Sequence, residues 1–430
     1  MSYEASPRIL TRLDQLLSLP AVTAALDWIR QDQPRSIQEQ KRLTLSEAPT
    51  FHEAARARAF ADALRALGLE DVRVDDIGNV TGVRRGSSRG PTVLIEAHMD
   101  TVFPLGSVMD VREEDGFLHA PGVSDDTRGL AVILALLRAL NAAHIATDGT
   151  LILAGTTREE GAGGMAGMKA LLQALPGLDA AISIDSGDLG GIICEATGMR
   201  TVEITFRGKG GHAFGAFGQV AQPLHAAARA VAKIAEFQVP HEPRTTFCVS
   251  NFHAGNDAGI HAIPPTATIK VNYRSNDPAE LEALHGRVFQ AVREACEEET
   301  ARWGRDAVTW EAKTHCDIPA GAQDTHMPVA EGLWAVLDHL GVGPRFLRGG
   351  ATNCSIAIGA GIPAVCMGTC CCPGDEAVPT FDHTLEERYP VAGAYRGVQA
   401  ALLLSLLCAG TAGAPSILTP HQPTTTEASL

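Results

Sequence analysis

Apolar residues recur at helical spacing, with polar residues between them, over roughly 8–32 and 52–68, and this predicts two amphipathic helices. The pattern then shortens. VRVDDIGNVTGVRR predicts a β-pair, and PTVLIEAHMDTV a strand. DDTRGLAVILALLRAL has aspartate at its head and apolar residues at helical spacing, so a helix begins near Asp126. GTLILAGTT (149–157) and LDAAISIDSG (178–187) are short apolar runs ended by polar residues, as buried strands of an α/β sheet are.

Near residue 198 the pattern changes. TVEITFRGKG, a helix over about 220–236, the strands TTFCVSNFHAG and TATIKVNYRS, a charged helix over about 278–302 and a closing strand are the order of a compact α+β sandwich. From about 319 the α/β pattern resumes with a helix (328–340), the strand IPAVCMG and the helix YRGVQAALLLSLLCA. Four segments result: 1–197 and 319–410 as two parts of one α/β domain, 198–318 as an insertion, and 411–430 as a disordered tail rich in Thr, Pro and Ala.

Composition narrows the function. A formal charge of -15 without a dense Lys/Arg run argues against nucleic acid or an anionic membrane as partner and leaves a small-molecule substrate. The N-terminus lacks a secretory pattern, and the longest apolar runs, AVILALL and ALLLSLLCA, fall far short of a bilayer, so a cytoplasmic location is expected. The ten cysteines are scattered and include the trio Cys370, Cys371 and Cys372; no regular disulfide framework is visible.

Polar residues at strand ends are where α/β sheets carry their sites. His98, Asp125, Glu160, Asp185 and His383 fall at such ends or just beyond, and all are nitrogen or oxygen donors suited to zinc, manganese or cobalt. Asp100 follows His98 by two residues on the same side of an extended chain, so its carboxylate could hold the second imidazole nitrogen. Glu159 and Glu160 can divide labour, one binding metal and one moving protons. Each has a plainer reading as well: a satisfied polar cluster, a solvated loop, or for Asp125 a helix cap.

Order and spacing together are more specific. HMDTV, GVSDDTRGLAVIL, TTREEGAGGMAG, SIDSG, GKGGHA and a late HT-x-E resemble the zinc-dependent metallopeptidase superfamily of aminoacylase, carboxypeptidase G and peptidase T, through nearly the whole chain. The resemblance implies a catalytic domain with a mixed sheet flanked by helices and an inserted ferredoxin-like dimerisation or lid domain, hence a homodimer or higher homo-oligomer. It implies two divalent metal ions, Zn or Mn with Co also compatible, bridged by Asp125. His98 and Asp185 complete one ion's shell, and Glu160 and His383 the other's. Glu159 becomes the general base, His212 a histidine reaching a partner's site to stabilise negative charge, and Arg274 a grip on a substrate carboxylate. Asp rather than Glu at 185 is closer to the aminopeptidase and dipeptidase members.

Three places depart from the family pattern. His261 in IHAIPP stands where Asn is usual, Asn353 in GGATNCS stands where an acid is expected, and CCCPGDEAVPTFDHT replaces a shorter loop. If His261 and Asn353 face substrate, ordinary peptides with a free amino group are disfavoured and a carboxylated molecule held by Arg274 fits better. Two enzymatic readings stay open: a peptidase or N-acyl amino acid amidohydrolase, and a hydrolytic deaminase of an aromatic amine acid, of the 5-nitroanthranilate aminohydrolase type. A non-catalytic scaffold on the same fold is the third, and it predicts a lost ligand or base, which the motifs do not show. The cysteine trio reads as small polarizable filler in a remodelled loop.

Overall fold

The computed structural model describes residues 3–304, 307–371 and 378–421. The chain forms two compact units, one running to Ala196 and resuming at Ala322, the other spanning Thr197–Gly321.

The first unit is built on an eight-stranded sheet in the order Glu70–Val74, Val80–Arg84, Thr150–Thr156, Thr92–His98, Ala180–Ile184, Ala364–Met367, Gly191–Ile193, Arg345–Leu347. The four central strands from Thr150–Thr156 to Ala364–Met367 run parallel, while antiparallel pairings flank them. The sheet is therefore mixed. The helices Thr127–Ala142 and Tyr395–Ala409 pack on Thr92–His98, and Ala166–Ala174 and Cys354–Gly359 pack on the neighbouring strands. Thr127–Ala142 is buried from Thr127 to Leu140, which is why its sequence is apolar almost all round. Parallel strands bring their C-terminal ends to one edge, and the loops leaving that edge carry the site.

The helix expected over 8–32 is two helices, Pro7–Leu17 and Pro20–Leu45. Pro20 has no amide hydrogen to continue the first helix, and its fixed φ suits the opening turn of the second. The tail expected to be disordered from 411 is packed as far as Leu418. Ile417 is fully buried in the main core beside Ala414, and the Ser416 hydroxyl bonds to the Cys408 carbonyl at 2.6 Å. Burial of Ile417 and Ala414 acts together with hydrogen bonds from Arg8 to the Ile417 carbonyl at 2.7 Å and from the Thr411 hydroxyl to the Ala146 carbonyl at 2.7 Å to hold the segment despite its Thr/Pro composition.

The second unit has a four-stranded antiparallel sheet in the order Thr245–Ala254, Thr266–Ser275, Gly198–Arg207, Thr309–Ile318, with the helices Pro223–Ala235 and Pro278–Trp303. Its core is its own, formed by Val202, Ile204, Phe206, Ile269, Val271, Tyr273 and the apolar faces of both helices. Among the described residues no single helix is long and apolar enough to cross a membrane.

Candidate metal centre

His98 closes its strand, and its two ring nitrogens have separate work. Nδ1 lies 3.0 Å from the backbone carbonyl of Asp100, which leaves Nε2 facing the Asp125 carboxylate at 2.8 Å and Asp185 at 3.8 Å. The other oxygen of Asp125 lies 3.0 Å from His383 Nε2, and the same nitrogen is 2.7 Å from Glu160. Each oxygen of Asp125 thus meets a different imidazole, the disposition a bridging carboxylate requires. His383 adopts a left-handed backbone with φ 65°, which is uncommon for a residue with a side chain.

Asp126 takes the capping task that sequence alone left open for its neighbour. Its carboxylate accepts from the Gly129 amide at 2.9 Å, at the helix N-terminus, and from the His98 amide at 3.1 Å. His98, Asp125 and Glu160 offer donor atoms within 4.8 Å of one another, and so do His98, Asp126 and Asp185. Because Asp126 is engaged by two amides, Asp125 is the freer carboxylate.

Asp100 differs from expectation. Its carboxylate is 3.7 Å from His98 Nδ1, beyond hydrogen-bond range, and is spent elsewhere. One oxygen accepts from the Glu159 amide at 2.9 Å, and the other accepts from the Glu160 amide at 3.0 Å and the Thr50 hydroxyl at 2.9 Å. The carboxylate holds the backbone of the glutamate pair, while the carbonyl of the same residue orients the imidazole.

Asn353 also departs from expectation. It is 2% exposed, and its amide nitrogen is engaged by Glu96 and Thr156 below the site, so it does not face substrate. The lining of the cavity, about 210 Å³, instead includes Ala351, Thr352, Ser186, Ile193 and Cys366 beside His98, Asp125, Glu159, Glu160, Asp185 and His383. His212, His261 and Arg274 belong to the second unit, where all three are exposed. There the His212 ring accepts from the amides of Phe214 and Gly215, each at 3.2 Å, and Arg274 Nε donates to Asn272 at 3.2 Å. Cys370 and Cys371 are buried away from this cavity, and Cys372 lies outside the described residues. The thiol that does line it, Cys366, went unremarked in the sequence because it sits inside an apolar strand.

Glu387 was missed too. The motif HT-x-E ends on the exposed Glu386, but the next residue is buried and accepts the amides of Gly122 at 2.9 Å, Ser124 at 2.8 Å and Asp125 at 2.9 Å. It shapes the loop that presents Asp125. Burial pushes its carboxyl up to about 8, against the amides that favour the charged form.

The electrostatics suit cations. Asp100, Asp125, Asp126, Glu159, Glu160 and Asp185 crowd a space that holds two imidazoles. Burial alone would lower His98, yet Asp100, Asp125 and Asp185 hold it well above its usual value. Asp125, then Glu160, push His383 up to about 11. Burial raises Glu159 well above the carboxylate range, with Asp185, Glu160 and Asp100 adding to the rise. Carboxylates that drive neighbouring imidazoles to take protons offer the same field to metal ions, and the N/O donor set fits Zn, Mn or Co.

Residues 94–406 match the family model for peptidase family M20/M25/M40. The chain belongs to this family. The M20 chain is 30% identical over 256 residues to a succinyl-diaminopimelate desuccinylase of Leptothrix cholodnii, covering 55% of this chain and 65%, just under two thirds, of that protein. It is 27% identical over 350 residues to a peptidase T-like protein of Rhizobium meliloti, covering 72% of this chain and 82% of the other. Among solved structures, the aminopeptidase PepT of Bacillus cereus superposes with TM-score 0.68 at 23% identity, covering 86% and 97% of the two chains. A Bacillus subtilis protein described as a dinuclear metal binding peptidase of the M20 family gives TM-score 0.63 at 18% identity, covering 89% and 99%. At these identities the two structures speak for the fold alone.

Proposed function

We propose that the chain hydrolyses an amide or peptide C–N bond of a small carboxylated substrate, using two divalent metal ions. The observation that carries this reading is the convergence of His98, Asp125, Glu160, Asp185 and His383 on one cavity with Glu159 beside them. His98, Asp125 and Asp185 would hold one ion and Asp125, Glu160 and His383 the other. The Bacillus subtilis relative is itself described as binding a dinuclear metal. Bound here, the ions would supply an acidified water and a positive field for the developing oxyanion.

The chain's own residues do the rest. Glu159 takes a proton from the attacking water and returns it to the leaving nitrogen, as a carboxylate beside the ligands in the same cavity can. The Asp100 carboxylate keeps the Glu159 backbone in place meanwhile. Arg274 is the group we assign to a substrate carboxylate, and His212 to the oxyanion of a partner's site in a homodimer formed through the second unit, where Phe214 is 91% exposed.

A panel of dipeptides, N-succinyl and other N-acyl amino acids, and aminobenzoates tests the substrate class. Turnover of aminobenzoates alone would sink the amide reading in favour of the hydrolytic deaminase, a reading already weakened because Asn353 does not face substrate. Glu159→Ala should abolish turnover while two ions per chain are retained; wild-type turnover in this variant removes Glu159 as the base.

A further inference from the structure

A second polar layer lies one residue pair below the ligands. Glu96 precedes His98 by two positions on the same strand, so both side chains leave the same face. It is 1% exposed in an otherwise apolar run. One of its oxygens accepts from the Ser183 hydroxyl, and the other accepts from the Thr156 hydroxyl at 3.0 Å and the Asn353 amide at 2.9 Å. Asn353 Nδ2 turns its remaining hydrogen to the Thr156 hydroxyl at 2.8 Å, which closes a triangle. Its Oδ1 is buried without a partner among the described residues, so this amide's hold is through nitrogen only.

Every member of the layer adjoins a piece of the metal cavity. Thr156 ends the strand that leads to Glu159 and Glu160, and Ser183 lies two residues before Asp185. Asn353 follows Ala351 and Thr352, which line the cavity wall. Glu96 pairs directly with Ser183 across the sheet, and His98 with Thr156. A buried carboxyl on one strand with partners on three other segments therefore sits where those segments must agree in position before the ligands can converge.

We propose that Glu96 is a positioning residue for the metal centre, acting with Asn353 as a donor–acceptor pair that sets the spacing of the ligand-bearing strand ends and of the Thr352 wall. Within this pair the acid stands on the strand and the amide on the loop, which explains why GGATNCS carries Asn353. A carboxyl facing an amide is satisfied with either order, so the pair is testable by exchange. The proposal rests on the two-metal reading above. Its primary readout is metal retention without substrate, so a wrong substrate class leaves it intact.

The experiment titrates Zn²⁺ into wild type, Asn353→Asp, and the exchange variant Glu96→Gln/Asn353→Asp against a chromophoric chelator, with kcat and KM measured on whichever substrate the panel yields. Asn353→Asp sets two carboxyl groups against each other and should weaken Zn²⁺ retention and lower kcat by roughly 10-fold or more, with KM changed much less. The exchange variant should recover both to within about 3-fold of wild type, as coupled neighbours do when complementarity returns. Recovery supports the proposal; an exchange variant no better than Asn353→Asp, or Asn353→Asp retaining Zn²⁺ like wild type, overturns it. If Asn353→Asp does not fold, Asn353→Ala removes the donor without adding charge. Weakened Zn²⁺ retention in that variant supports the pairing, and wild-type retention overturns it.

Discussion

Replacing Asp100 with asparagine turns one of its two acceptor oxygens into an NH₂ group. In the protein one oxygen serves the Glu159 amide and the other serves the Glu160 amide and the Thr50 hydroxyl, all between 2.9 and 3.0 Å. Whichever way the asparagine turns, one amide of the glutamate pair is left facing a donor. A buried donor without an acceptor costs about 1–3 kcal/mol, and the lost bond had a charged acceptor, so we expect unfolding to become easier by roughly that amount. The imidazole contact survives, because His98 Nδ1 is held by the backbone carbonyl of Asp100. Asp100→Asn should therefore lower kcat by roughly 10- to 100-fold through a displaced Glu159, while metal affinity changes only a few-fold. Urea unfolding of the metal-free protein gives the first quantity, and equilibrium dialysis with metal beside steady-state kinetics gives the second. A fall in metal affinity of more than about tenfold, with kcat per bound ion and stability at wild type, would refute this role, since the carboxylate would then be orienting His98.

Glu387→Ala strips three buried amides of their acceptor, so hydrogen exchange at Gly122, Ser124 and Asp125 should accelerate and stability should fall by about 3 kcal/mol or more; unchanged exchange at those amides counts against the loop role. Ile417→Ala should cost about 2–5 kcal/mol in denaturant unfolding, as other buried isoleucines do, and a loss under about 1 kcal/mol would show that the tail does not pack. At pH 8 a chromogenic disulfide reagent should label the exposed Cys248 in the native protein, while Cys370 and Cys408, both pushed up to about 12 chiefly by burial, should wait for unfolding. Labelling of Cys370 at the rate of Cys248 contradicts the filler reading.

The strands Thr92–His98, Thr150–Thr156 and Ala180–Ile184 were legible as continuous apolar runs, because a parallel strand covered on both faces has no polar side to alternate with. The residue types at their ends were legible for the same reason: His98, Asp185 and the Glu159–Glu160 pair interrupt those runs abruptly. Glu96 carried a signal that went unread, since a single carboxylate inside an apolar strand must find partners when buried. Glu387 carried only a weak one, a carboxylate near His383 and one position from the exposed Glu386.

By itself the sequence marked the long helices and the buried central strands and which donor chemistries stand at strand ends, because period and capping are local properties, while short elements such as Ala166–Ala174, Gly191–Ile193 and Arg345–Leu347 carried no such period. Tertiary structure alone decided what each polar group faces. Asp100 was assigned a partner from spacing along the chain and Asn353 a place facing substrate from the family pattern, but Asp100 meets the amides of Glu159 and Glu160, and Asn353 meets Glu96, 257 positions away. Those pairings follow from strand order within the sheet, which no local pattern encodes, and the low dielectric of the interior makes them count.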